Sequence, residues 1–158
     1  ADAISFRYYD DILHRFVVVV YDGGLKTYGT ALKDHLNAFY FKGESEPLID
    51  YVICSHPDQD HASGLTEILN NFNVGALVMN RPWLYIDELF PLVSDGRITK
   101  ASLERRLHES YPYIDELESL AVENGITIQE GFQGTTIDSK LTILSPSKEF
   151  YLPVCICG

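Results

Sequence analysis

Basic residues are scarce in this sequence: 12 Lys and Arg stand against 23 Asp and Glu, a formal net charge of −11 with His neutral. That balance opposes non-specific binding to nucleic-acid backbones or anionic membrane surfaces, because the summed field repels them. Cysteine is scarce too. Three residues at no regular spacing build no disulfide framework, so a reducing cytoplasm is the expected compartment. Long apolar runs are missing: the longest strongly apolar stretch, residues 16–21, falls far short of the roughly 20 residues that span a bilayer, so no membrane partner is expected. No Gly-x-Ser-x-Gly elbow, phosphate-binding glycine loop or dinucleotide fingerprint occurs, and those chemistries have no support here. No signal-peptide pattern is visible, and the chain opens on Ala1-Asp2-Ala3-Ile4 already in strand-like composition, as a piece of a longer chain does. What is present suffices for a single domain: 158 residues, 46% of them hydrophobic, can bury a core of their own.

Residues 4–9 and 15–21 are rich in β-branched and aromatic side chains and flank a short polar loop, which predicts a β-hairpin. Between residues 27 and 41, Tyr28, Ala31, Leu32, His35, Leu36 and Phe39 recur at helical spacing. An apolar run at 49–54 reads as a buried strand, 63–72 as a helix with Leu65, Ile68, Leu69 and Phe72 on one face, and 74–79 as a second buried strand. Residues 84–124 read as helical throughout, with Pro112 in the first turn of a second helix and Gly125 as its stop. Segments 126–129, 135–138 and 141–144 read as strands. The expected organisation is a hairpin and loop half over 1–83, a helical insertion over 84–125 and returning strands over 126–158, an α/β fold.

The densest chemistry lies in Ser55-His56-Pro57-Asp58-Gln59-Asp60-His61, directly after the strand at 49–54. Two imidazoles and two carboxylates in six residues are the ligand set of zinc, manganese or iron, and no cysteine joins them, which argues against a closed structural zinc site. His56 and Asp58 stand two apart, so an extended segment projects both to one side, and the next turn brings Asp60 and His61 to an adjacent position. One short loop can thus face two neighbouring ions. Pro57 biases His56 toward extended geometry and stiffens the loop. Calcium is a poor fit: counted from Asp58, the sixth position is Ser63 and the twelfth Leu69, where an EF-hand loop needs Gly and Glu. The plainer reading, a polar turn that caps a helix, needs one such residue and not four.

With its Ala62-Ser63-Gly64-Leu65 continuation, this segment resembles the signature loop of the metallo-β-lactamase superfamily, His-x-His-x-Asp-His followed shortly by Gly. Asp58 stands where the superfamily's second His falls, a departure that resembles the branch containing the DNA-uptake competence protein. The resemblance implies the first half of an αββα sandwich with a helical insertion. It implies one ion at His56 and Asp58 and a second at Asp60 and His61. Asp22, in Tyr21-Asp22-Gly23-Gly24 after an apolar strand, is similar to the superfamily's early acid, which buttresses the metal loop; the alternative is an ordinary turn. The superfamily's bridging acid and final His have no counterpart: downstream of His61 the only histidine is His108, in the middle of a predicted helix. The domain is therefore expected to be truncated, or its site to be completed by another segment.

Further residues carry weaker signals. Arg81 and Trp83 follow a strand on the sheet edge that bears the loop and are candidates for a substrate mouth, with loop packing the alternative for Trp83. Cys54 reads as a packed small hydrophobe and Cys155-x-Cys157 as two ordinary thiols. The expectation is a hydrolase that activates water on one or two zinc-like ions, Asp60 assisting as the catalytic carboxylate, with a small-molecule ester or phosphodiester as substrate. The rival expectation is a non-catalytic module of the same half-fold that serves partner binding or homo-oligomer formation through an exposed sheet edge or face.

Overall fold

Strand β1 (Ala3–Asp10) and strand β2 (Arg15–Gly23) form the antiparallel hairpin that their β-branched and aromatic residues predict. The structure, a computed structural model, describes residues 2–93 and 96–156. Asp10 builds the hairpin turn: its Oδ1 accepts the N–H groups of Ile12 and Leu13, each at 2.8 Å. His14 completes the turn in the left-handed region, φ 53°.

From β2 the chain crosses through α1 (Lys26–Phe39) to β3 (Leu48–Ile53), then through α2 (Gln59–Ala62) and α3 (Leu65–Asn71) to β4 (Asn73–Val78). Neighbouring strands after the hairpin are parallel, as helical crossovers require. Short α4 (Ile86–Leu89), α5 (Lys100–Ser110) and α6 (Pro112–Glu123) precede β5 (Thr127–Gln129), which pairs parallel to β4. The result is a mixed α/β fold on a five-stranded sheet in the order β1-β2-β3-β4-β5. Thr99 caps α5 through a reciprocal box with Ser102, and α7 (Lys148–Val154) follows the cap at Ser147.

The core centres on β2. Val17, Val18, Val19 and Val20 are each 5% exposed or less, and since successive strand side chains alternate, both faces of β2 are covered. Full burial of one such side chain contributes about 1.5–3 kcal/mol. Asp50 is the one acid inside β3, and it is fully engaged: Oδ2 accepts the Val18 N–H at 2.8 Å, and both carboxylate oxygens receive Arg15 at 2.5 and 3.1 Å. That pairing holds the Arg15 guanidinium above its ordinary value.

The chain divides into two compact units. The first, residues 1–79 and 113–129, holds the sheet with α1, α2, α3 and nearly all of α6. The second, residues 80–112 and 130 onward, is tied internally by Arg81 to Glu130, by a 2.7 Å bond from Gly131 N–H to Asn80 Oδ1, and by the Tyr151 hydroxyl donating to Asn80 O. No described helix is long and apolar enough to cross a membrane.

Two local expectations fail in the second unit. Residues 135–138 and 141–144 are not strands; they meet in one antiparallel bridge, Thr136 with Thr142. Asp138 Oδ1 accepts the N–H groups of Lys140 and Leu141 at 2.8 and 2.9 Å, a turn so tight that a ladder has no length to develop. Leu144 is 81% exposed, so the alternation there faces no apolar layer. Helix α7 is the converse, a helix in a span expected to hold returning strands, with Pro153 inside it.

Packing around the loop depends on glycine. The Gly23-Gly24 turn at the end of β2 presses on the start of α3, where Gly64 N–H donates to Gly24 O at 2.9 Å. A Cβ on Gly64 would overlap the carbonyl of Gly23 and would stand 2.9 Å from Gly24 O. Gly29 of α1 meets the same spot, with Gly64 O 2.9 Å from its Cβ position. Gly64→Ala is therefore expected to destabilise by about 3 kcal/mol or more. Gly43→Ala, at φ +83° in open space, is expected to cost about 1–2 kcal/mol, the left-handed strain alone. Urea unfolding of both variants checks the ranking; equal losses would contradict the close contact.

Candidate metal centre

The pairing of Tyr21 with Ile53 sets the site, because it places the last residues of β2 beside those just beyond β3. Asp22 leaves β2 with φ 58°, a conformation that Asp tolerates better than most residues, and its side chain is buried. A buried carboxylate needs donors. Oδ1 accepts the Ser55 N–H at 2.8 Å; Oδ2 accepts the Ser55 hydroxyl at 2.6 Å and stands 2.9 Å from His61 Nδ1. Ser55 Oγ is in turn 2.8 Å from His56 Nδ1. Burial first, and then the Asp22 charge, hold the adjacent Tyr21 phenol above its ordinary value.

The loop beyond Ser55 folds into α2, and Asp58 occupies its N-cap position with extended backbone. The Asp58 side chain makes no capping hydrogen bond, so the capping role offered by the plainer reading is not what this carboxylate performs. One helical turn then carries Asp60 and His61 back toward His56, and the two imidazole rings lie with centroids 3.9 Å apart. Ser63 locks the far end: its hydroxyl donates to Gln59 O at 2.6 Å and accepts the Lys26 N–H at 2.9 Å.

Two imidazole–carboxylate pairs result. His56 Nε2 is 3.6 Å from Asp58 Oδ2, and His61 Nε2 is 3.7 Å from Asp60 Oδ2. Two donors each bound at ~2.1 Å to one tetrahedral ion stand ~3.4 Å apart, so both spacings fit a shared cation with little movement. Asp58 and Asp60 are solvent-accessible, at 70% and 44% side-chain exposure, whereas His61 is 18% exposed. Ligand-capable atoms of Asp22, His56 and His61 also fall within 4.8 Å of one another. The Asp22 carboxylate already faces three donor groups, which suits it to orienting the imidazoles more than to binding an ion itself.

The remaining candidates have other partners. Arg81 belongs to the second unit, where Glu130 holds its Nε at 2.8 Å and its backbone N–H at 3.1 Å. Trp83 is buried and stacks on His108 with centroids 4.1 Å apart and planes 21° from parallel. Cys157 lies outside the described residues; Cys155 is a buried free thiol. Ser55 carries a part in the network that the sequence reading did not assign, although the signal was there: a hydroxyl at the second position after β3, close to an acid at the end of β2.

Cys54 sits beside the loop, and burial pushes its thiol far above the ordinary value while Sγ–H donates to His56 O at 3.2 Å. It is a packed neutral thiol and not a soft ligand. Iodoacetamide at neutral pH, followed by peptide mass mapping, is expected to leave Cys54 unmodified in the folded chain and to alkylate it in denaturant. Rapid labelling of Cys54 in the native state would contradict this.

The model of the metallo-beta-lactamase superfamily matches residues 17–134, from the core of β2 past β5. No match to the chain is found among curated proteins. The chain belongs to the metallo-β-lactamase superfamily.

Proposed function

We propose that this member of the metallo-β-lactamase superfamily is a hydrolase whose loop holds one divalent ion at His56 and Asp58 and a second at Asp60 and His61. Zinc suits the mixed nitrogen and oxygen donors best, with manganese or iron as substitutes that the carboxylates tolerate. The observation that carries the reading is the pair of matched spacings, 3.6 and 3.7 Å, on one loop braced by a buried acid at the carboxyl ends of parallel strands. When bound, such ions supply Lewis acidity toward an ester or phosphoester oxygen and a water nucleophile at neutral pH.

The chain's own residues do the rest. Asp22 fixes His61 through Nδ1 and leaves Nε2 facing Asp60. Asp60, accessible beside His61, orients the attacking water and receives its proton. The substrate class follows from charge. Asp22, Asp58 and Asp60 give the loop three negative charges, and two divalent ions bring it from −3 to +1 (−3 + 4 = +1). A singly charged phosphodiester or a neutral ester suits that site, and free approach of nucleic acid to the acidic surface does not. Arg81 and Trp83, engaged by Glu130 and His108, are assigned no substrate contact. Free Cys54 and Cys155 suit a reducing compartment, the cytoplasm.

Turnover of bis(p-nitrophenyl) phosphate and p-nitrophenyl acetate by the zinc-loaded and manganese-loaded chain tests the reading. Asp60→Ala is expected to lower kcat by about 10²–10⁴-fold, through loss of the proton acceptor and of a donor to the second ion. Asp22→Asn is expected to weaken metal affinity by about 10–100-fold. A metal-replete Asp60→Ala variant with unchanged kcat would remove Asp60 from the chemistry. A loaded chain that turns over neither substrate would favour the binding module over the enzyme.

A further inference from the structure

Hydrogen-bond direction around Asp22 can be deduced by counting protons. An ionised carboxylate only accepts, so the 2.6 Å contact between Ser55 Oγ and Asp22 Oδ2 must use the hydroxyl proton. The Ser55 oxygen then has lone pairs and no proton for its other neighbours, the Tyr21 hydroxyl, which carries its own proton, and His56 Nδ1 at 2.8 Å. The His56 ring must supply that proton, which places N–H at Nδ1 and, in the neutral ring, leaves a bare lone pair at Nε2. His61 reaches the same state directly, because its Nδ1 lies 2.9 Å from the same carboxylate oxygen. One buried acid thus governs two imidazoles, one by contact and one through a hydroxyl.

We infer that Ser55 is the positioning residue of His56: its hydroxyl relays Asp22 to Nδ1, sets the ring's tautomer and aims Nε2 at the space beside Asp58. The inference rests on the proposed metal reading for its consequence, since cation binding needs the unprotonated nitrogen. It also explains an asymmetry. His61 is enclosed and held by a charge, whereas His56 is 42% exposed and held by a neutral group, so Ser55 is what selects its tautomer among the described residues. The Ser55 N–H bond to Asp22 Oδ1 comes from the backbone and survives substitution of the side chain, so the variant that removes the hydroxyl keeps the strand-end contact.

Two readouts test this. The first is nitrogen–proton correlation NMR of the metal-free wild-type chain at about pH 8, above the ordinary imidazole value of about 6.5. Both His56 and His61 are expected as Nδ1–H tautomers; His56 found with its proton on Nε2 would overturn the inference without any variant. The second is zinc affinity by competition with a chromophoric chelator for wild type, Ser55→Ala and Ser55→Thr. Ser55→Ala is expected to bind about 10–100-fold more weakly, with His56 in mixed tautomers and His61 unchanged, and Ser55→Thr is expected to restore both. Wild-type affinity with an unchanged His56 tautomer in Ser55→Ala would overturn it. A wild-type chain that binds no zinc would instead defeat the metal reading, and the tautomer measurement would still decide the role of Ser55.

Discussion

A carboxylate at the end of β2 cannot be left in the interior without donors, and the site is arranged around the way Asp22 meets that constraint. Asp22 is 3% exposed. Unpaired, an ion so placed would cost several kcal/mol. It draws its donors from two separate segments: Ser55 at the end of β3 and His61 in α2. Satisfying the acid therefore organises the loop. The backbone cooperates, because Gly23 and Gly64 let the end of β2 and the start of α3 approach more closely than any side chain permits. Acid and glycines together fix both ends of the segment between residues 55 and 64.

The sheet explains why this happens at one edge. Parallel pairing of β2, β3 and β4 brings their carboxyl ends to the same side, and the register of Tyr21 with Ile53 brings Asp22 within hydrogen-bond reach of Ser55. Within this arrangement His56 and His61 present their Nε2 atoms to Asp58 and Asp60. Strong negative charge over the whole chain is compatible with hydrolysis of a phosphodiester only when cations reverse the local sign, so metal and substrate are linked by charge as well as by chemistry.

Much of this was legible in the residues. β-Branched runs separated by helical periodicity marked β2, α1, β3, α3 and β4, since buried parallel strands leave the plainest apolar signal. Four ligand-type residues at loop spacing marked the segment, and the structure groups them as two imidazole–carboxylate pairs. Less legible was anything set by local side-chain competition. Asp138 diverts a strand-like alternation into a turn, and Ser147 starts a helix that contains a proline. The turn of α2 between Asp58 and Ser63 was read as plain loop, because four residues carry no periodicity. Ser55 lay hidden for another reason: its role arises from a partner 33 residues away, and only the strand register reveals that.

The central claim is that the loop binds divalent metal through its two imidazoles. Metal content by inductively coupled plasma mass spectrometry, after zinc loading and desalting, tests it on the wild-type chain and on the His56→Ala, His61→Ala double variant. The account predicts at least one retained zinc per wild-type chain and none in the variant. A folded wild-type chain that retains no metal, or a double variant that retains as much as wild type, would contradict it.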